Sequence, residues 1–167
     1  MRGAGLVLLL GAVCLLTACA ATHLTDGRSA SMEMTLTVAG TEESTAMKLW
    51  QEEDFSMYLP AQGWTQDKDG VWHPEDDQAV SLSVDAFPES DKDAAYAAIV
   101  EQHPSYSFTH LEENRFVGYD GVAGMTLWVR LASDRDTCYA LWAQYPTAEE
   151  ETFGAQTQQL AETFETA

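Results

Sequence analysis

Positive charge is what this 167-residue chain has least of: eight Lys or Arg stand against 27 Asp or Glu, a formal net charge of −19 at neutral pH. A surface that negative repels phosphate backbones, which argues against nucleic acid as a partner. It also repels anionic lipid headgroups, so a basic patch cannot be what holds the chain to a membrane. Long apolar runs are missing as well. The longest stretch, Gly5 to Thr17, is about 13 residues against the ~20 that a membrane-crossing helix needs. Enzyme signatures are equally scarce, with no glycine-rich phosphate loop, no Gly-x-Ser-x-Gly elbow and no His-Glu-x-x-His zinc helix. The four histidines, His23, His73, His103 and His110, stand far apart in sequence. The chain is therefore expected to be non-catalytic and to need no cofactor.

What is present begins at the N-terminus. Met1-Arg2, an apolar run from Leu6 to Leu16 and then small residues follow the charged, apolar and cleavage-region order of an export signal. The run ends in Leu16-Thr17-Ala18-Cys19, which resembles the lipobox of bacterial lipoproteins: an aliphatic residue, two small ones, then cysteine. The resemblance implies that residues 1–18 are removed and that Cys19 carries a thioether-linked diacylglycerol with further acylation of the palmitate kind. That lipid would be the chain's link to a membrane, on the extracytoplasmic side of a bacterial cell. Ala20 rather than Asp follows the cysteine, which in that family favours the outer membrane where a cell has two.

Without residues 1–18 the chain keeps seven Lys or Arg against 27 Asp or Glu, a net charge of −20. Of the three cysteines, Cys14 leaves with the signal and Cys19 is consumed by lipid, so Cys138 alone remains and no intrachain disulfide can form. Stability must come from an apolar core. Residues 19–31 are small and polar and read as a flexible tether, and residues 32–167 are long enough for one domain with a sizeable core.

Alternation marks the strands. Met32, Met34, Leu36 and Val38 share one face of a half-buried strand, followed by strands at Ala46 to Trp50 and Phe55 to Leu59 that Pro60 ends. Asp67-Lys68-Asp69-Gly70 has turn chemistry and joins a hairpin ahead of Val71-Trp72-His73, and Val80, Leu82, Val84 and Ala86 alternate in a further strand. Ser90 with Asp93 predicts a helix start, Tyr96, Ile99, Val100 and His103 follow at helical spacing, and Pro104 stops the helix. Weaker strands are expected through Tyr106 to Leu111 and near Phe116. Val122 to Leu131 and Thr137 to Tyr145 predict a hairpin whose expected register sets Val129 against Leu141, Leu131 against Tyr139 and Trp128 against Trp142. Thr147 with Glu150 predicts a capped C-terminal helix with Phe153, Thr157, Leu160 and Phe164 as its buried stripe. The fold class expected is α+β, an antiparallel sheet flanked by two helices.

From Tyr58-Leu59-Pro60 through Gly63-Trp64, a strand, a helix, a long hairpin containing Cys138-Tyr139 and a C-terminal helix, residues 44 to 165 resemble the Mog1/PsbP-like group. The resemblance implies an α/β/α sandwich and a non-catalytic accessory or binding role; it supplies no catalytic residues. The hairpin from Met32 to Trp50 stands as an addition to that pattern.

The five tryptophans, Trp50, Trp64, Trp72, Trp128 and Trp142, are the candidate binding residues, because an indole offers apolar area with one polar handle to a sugar, a peptide or a lipid. Core packing is the plainer reading, and Trp128 and Trp142 are expected beneath a helix. Asp67, Asp69, Glu75, Asp76 and Asp77 flank one hairpin and form a calcium candidate, since calcium takes six to eight oxygen ligands from such loops. The remaining loop positions of a calcium site are missing, turn chemistry accounts for these residues, and no metal is expected. Cys138 has no charged neighbour to stabilise a thiolate and reads as a packed strand residue.

The function expected is a lipid-anchored envelope module that binds a small ligand or an envelope protein. Two alternatives differ in class: an envelope hydrolase built on His73, His110 and nearby carboxylates, and a subunit of a surface assembly with Trp50 or Trp64 in an exposed apolar patch.

Overall fold

A computed structural model describes residues 27–88, 91–112 and 114–166. Cys19, the signal region, Ser90 and most of the expected tether lie outside the described residues. In chain order the strands are β1 (Ser31–Val38), β2 (Thr41–Gln51), β3 (Phe55–Pro60), β4 (Trp64–Gln66), β5 (Trp72–Pro74) and β6 (Ser81–Phe87). Helix α1 (Lys92–Gln102) follows, then β7 (Ser107–His110), β8 (Arg115–Asp120), β9 (Met125–Asp134) and β10 (Thr137–Pro146). The chain closes with α2 (Ala155–Ala161) and β11 (Glu165–Thr166).

These strands form two antiparallel sheets, not one. The smaller has the order β1-β2-β3-β11 and the larger the order β4-β5-β6-β10-β9-β8-β7. An antiparallel sheet flanked by two helices is therefore the wrong layering: 51% of the described residues are strand and 19% helical. One face of the large sheet is covered by α1, which packs Ala95 and Ile99 on Phe116, Leu127, Val129, Leu131, Cys138, Ala140 and Trp142. The other face meets the small sheet together with α2, in a core that joins Met57 and Leu59 to Leu82, Leu141, Tyr145, Leu160 and Phe164. Alternation along a strand says which residues are buried, not which element buries them, and the opening strands found each other. A seven-residue helix spans roughly 10 Å, about two strand spacings. Alone it cannot cover a seven-stranded face.

The expected C-terminal helix is also broken. A 3-10 turn (Thr147–Glu149) and a wide π turn (Glu150–Gly154) precede α2. The stripe survives the break: Thr157, Leu160 and Phe164 are buried, and Phe153 packs at the edge of the same core. Gly154, the last residue of the π turn, lets the backbone pass close to Tyr145. A Cβ there would come within 2.8 Å of the Tyr145 ring, which is itself fully buried. Helix α1 is capped by Asp91, whose carboxylate accepts from the Asp93 backbone N–H at 2.9 Å.

The long hairpin pairs as expected but slips by one residue. Trp142 lies opposite Val129, Trp128 opposite Ala143, and Leu131 opposite Ala140. Asp134 pairs with Thr137, so two residues make the loop where the expected register needs three, and Arg135 takes a positive φ of 42° to close it. A slip of one changes the face of one strand relative to the other. Trp128 therefore sits in the core that the large sheet shares with the small sheet and α2, and Trp142 in the core beneath α1.

Candidate functional site

The five tryptophans divide. Trp128 and Trp142 are buried, at 3% and 6% exposure. Trp50, Trp64 and Trp72 are half-buried and line one groove of about 360 Å³ at the end of the sandwich where the two sheets part. Trp50 comes from β2, Trp64 from β4 and Trp72 from β5. The β4–β5 register sets Gln66 against Trp72 and Trp64 against Pro74, and β5 meets β6 at Trp72 and Leu82. Trp64, Gln66 and Trp72 thus share the sheet face that Leu82 turns toward the small sheet. From that sheet Trp50 approaches Trp72 with ring centroids 5.7 Å apart and meets Phe55 edge-on at 5.2 Å. Leu59 and Pro60 close the groove from β3.

Trp50 and Gln66 also border a second, larger hollow of about 570 Å³. Its other walls carry Glu52, Glu53, Asp54, Asp69 and Asp85. Trp50 donates from Nε1 to Glu52 at 2.9 Å, which ties the aromatic half to the acidic half. Lys68 beside Asp69 at 3.9 Å makes the only lysine or arginine ion pair with these carboxylates among the described residues.

Arg28, Ser29 and Ala30, just ahead of β1, reach this region. Ala30 accepts from the Leu49 backbone N–H at 3.0 Å, one residue from Trp50. Ser29 accepts from the Tyr58 hydroxyl at 2.8 Å, and the Arg28 guanidinium lies 4.5 Å from the centre of the Tyr58 ring.

Two of the calcium candidates, Asp67 and Asp77, are used by their own turns. Asp67 accepts from the Asp69 and Val71 backbone N–H groups at 2.8 and 3.0 Å, and these bonds, that from Val71 foremost, hold its carboxyl below the usual range. Asp77 accepts from the Ala79 N–H at 2.8 Å. Among the described residues no three of His, Cys, Asp or Glu come together as a metal site. His73 and His110 are not brought together either. They lie on β5 and β7, five strand steps apart in the large sheet, or roughly 24 Å. His73 hydrogen-bonds through Nδ1 to the Val80 carbonyl at 2.8 Å, and its Nε2 is 3.5 Å from Asp67. Cys138 is fully buried under α1, and burial pushes its thiol up.

Sequence reasoning named the groove's tryptophans and expected Trp128 and Trp142 to be covered, but it did not see the acidic hollow. The cue for the hollow was the run Glu52-Glu53-Asp54, one residue beyond Trp50. No protein-family model matches the chain, and no curated protein matches it in sequence. Among solved structures it is similar to the cyanobacterial PsbP (CyanoP) of Synechocystis sp. PCC 6803, with a TM-score of 0.52 and 11% identity, over 72% of this chain and 92% of that one. At that identity the likeness concerns the fold, and the fold is PsbP-like.

Proposed function

We propose that this protein is a lipid-anchored, non-catalytic accessory module of the bacterial cell envelope, which binds a ligand or partner protein in the groove of Trp50, Trp64 and Trp72. The observation that carries the reading is the meeting of three half-buried indoles from two sheets in one open groove. Indoles gathered around an open hollow are the usual chemistry of recognition, combining apolar area with fixed shape. The PsbP-like fold is compatible with an accessory role. The anchor is Cys19, nine positions before Arg28 in the sequence. Because the tether joins the domain beside Trp50, the groove would work close to the membrane surface.

Two measurements test this. Metabolic labelling with an alkynyl palmitate analogue should mark the protein, and Cys19→Ser should abolish the label and release folded protein from the membrane fraction; retention of the variant would contradict the anchor. For the groove, Trp64→Ala should abolish binding to envelope extracts while the variant still folds, with a loss of about 2 kcal/mol against roughly 3–5 kcal/mol for a core tryptophan. Binding that survives the substitution would place recognition elsewhere.

A further inference from the structure

Strand β6 has one edge uncovered over most of its length. On one side it pairs with β10 from Ser81 to Phe87. On the other it meets β5 only at Leu82, because β5 is three residues long. Beyond Leu82 no described strand lies along that side, and Ala86, on the face that is buried farther back at Leu82, is exposed. Ser83, Val84 and Asp85 of this bare edge form one wall of the acidic hollow, and Trp50 joins that hollow to the aromatic groove.

An uncovered strand edge presents unpaired backbone donors and acceptors at a fixed spacing, and adding a strand is the common way to satisfy them. The walls then state the charge of what adds. Glu53, Asp54, Asp69 and Asp85 surround the notch, where Lys68 pairs with Asp69 at 3.9 Å, and Lys48 lines the adjoining aromatic groove. A neutral sugar could donate hydroxyl hydrogen bonds to these carboxylates but would leave their net charge unanswered, and an acidic segment would be repelled. We infer that the notch receives an extended, lysine- or arginine-bearing segment of a partner protein, which adds as a strand beside Ser83–Asp85 and turns its basic side chains to the carboxylates and its apolar ones to Trp50. The inference rests on the groove reading above and deepens it: backbone pairing supplies affinity and the acidic walls supply selection for positive charge.

The test uses the full chain in nonionic detergent and a capped octapeptide alternating lysine and leucine, with tryptophan fluorescence as readout. Binding should weaken about tenfold when the lysines become glutamates, and about fivefold when alternate backbone nitrogens are methylated. Glu53→Gln with Asp85→Asn should weaken it about fivefold, whereas Glu42→Gln with Glu43→Gln, exposed on the far hairpin, should change it less than about twofold. Equal binding of the methylated peptide, or an equal effect of the far pair, would show attraction to net charge alone and overturn the inference. Saturable binding of chitohexaose that Trp64→Ala removes, with no peptide binding, would overturn strand addition and leave the groove as the binding surface. Peptide binding indifferent to Trp64→Ala and to the Glu53/Asp85 pair would overturn both.

Discussion

Trp142 and Trp64 belong to the same seven-stranded sheet, yet one is sealed beneath α1 and the other stands at the rim of an open groove. The difference comes from the lengths of the strands that carry them. Trp142 lies on a ten-residue strand near the middle of the sheet, with neighbours on both sides and a helix above. Trp64 lies on a three-residue strand at the edge of the sheet and is only partly buried. Middle strands have their side chains claimed by packing; short edge strands leave theirs available. By this account the five indoles do two jobs, and substitutions should separate them.

The largest effect is expected at Trp142→Ala, which empties the core beneath α1 and should cost about 3–5 kcal/mol in urea unfolding. Its Nε1 has no acceptor in the structure. Trp142→Phe should therefore cost much less than Trp142→Ala, and similar costs would break the account of a packing residue. The opposite core has its own test in Gly154→Ala. The new methyl would collide with the Tyr145 ring at 2.8 Å, and overpacking of this kind costs roughly 1–3 kcal/mol.

Tyr145 itself sharpens the comparison through pH. Burial, with no strong compensating bond, pushes its hydroxyl up to about 12. In the unfolded chain the same group ionises near pH 10, so the unfolded state loses its proton first. Stability from this group is complete below pH 10 and is lost as pH rises toward 12, by about 2–3 kcal/mol from the pKa difference. Tyr145→Phe should flatten that window of the stability–pH curve; an unchanged slope would show that the hydroxyl is not sealed in the core. A smaller effect on stability than at Trp142, about 2 kcal/mol, is expected at Trp64→Ala, because its side chain is only partly buried. It should nonetheless have the largest effect on binding.

Much of this division could be read in the sequence, but not all of it. The turn Asp67–Gly70, the strand alternation and the buried stripe Thr157, Leu160 and Phe164 were legible because each is a local rule of spacing or turn chemistry. The long hairpin was legible in existence and not in register, since Ser133-Asp134-Arg135-Asp136 allows a loop of two residues or three and only packing decides between them. That single residue determines whether Trp128 and Trp142 face each other or opposite cores. The second sheet was hidden because its last strand, Glu165–Thr166, is two residues long and its first three were read as belonging to one surface. The acidic notch depends on β5 stopping short beside β6, a matter of relative strand length that periodicity does not report.

The direct test of the division is solvent exposure of each indole, read by 19F spectra of 5-fluorotryptophan-labelled protein with a soluble paramagnetic agent. The account predicts strong broadening of the Trp50, Trp64 and Trp72 resonances and little of Trp128 and Trp142. Uniform broadening, or broadening of the Trp142 resonance ahead of Trp64, would contradict it.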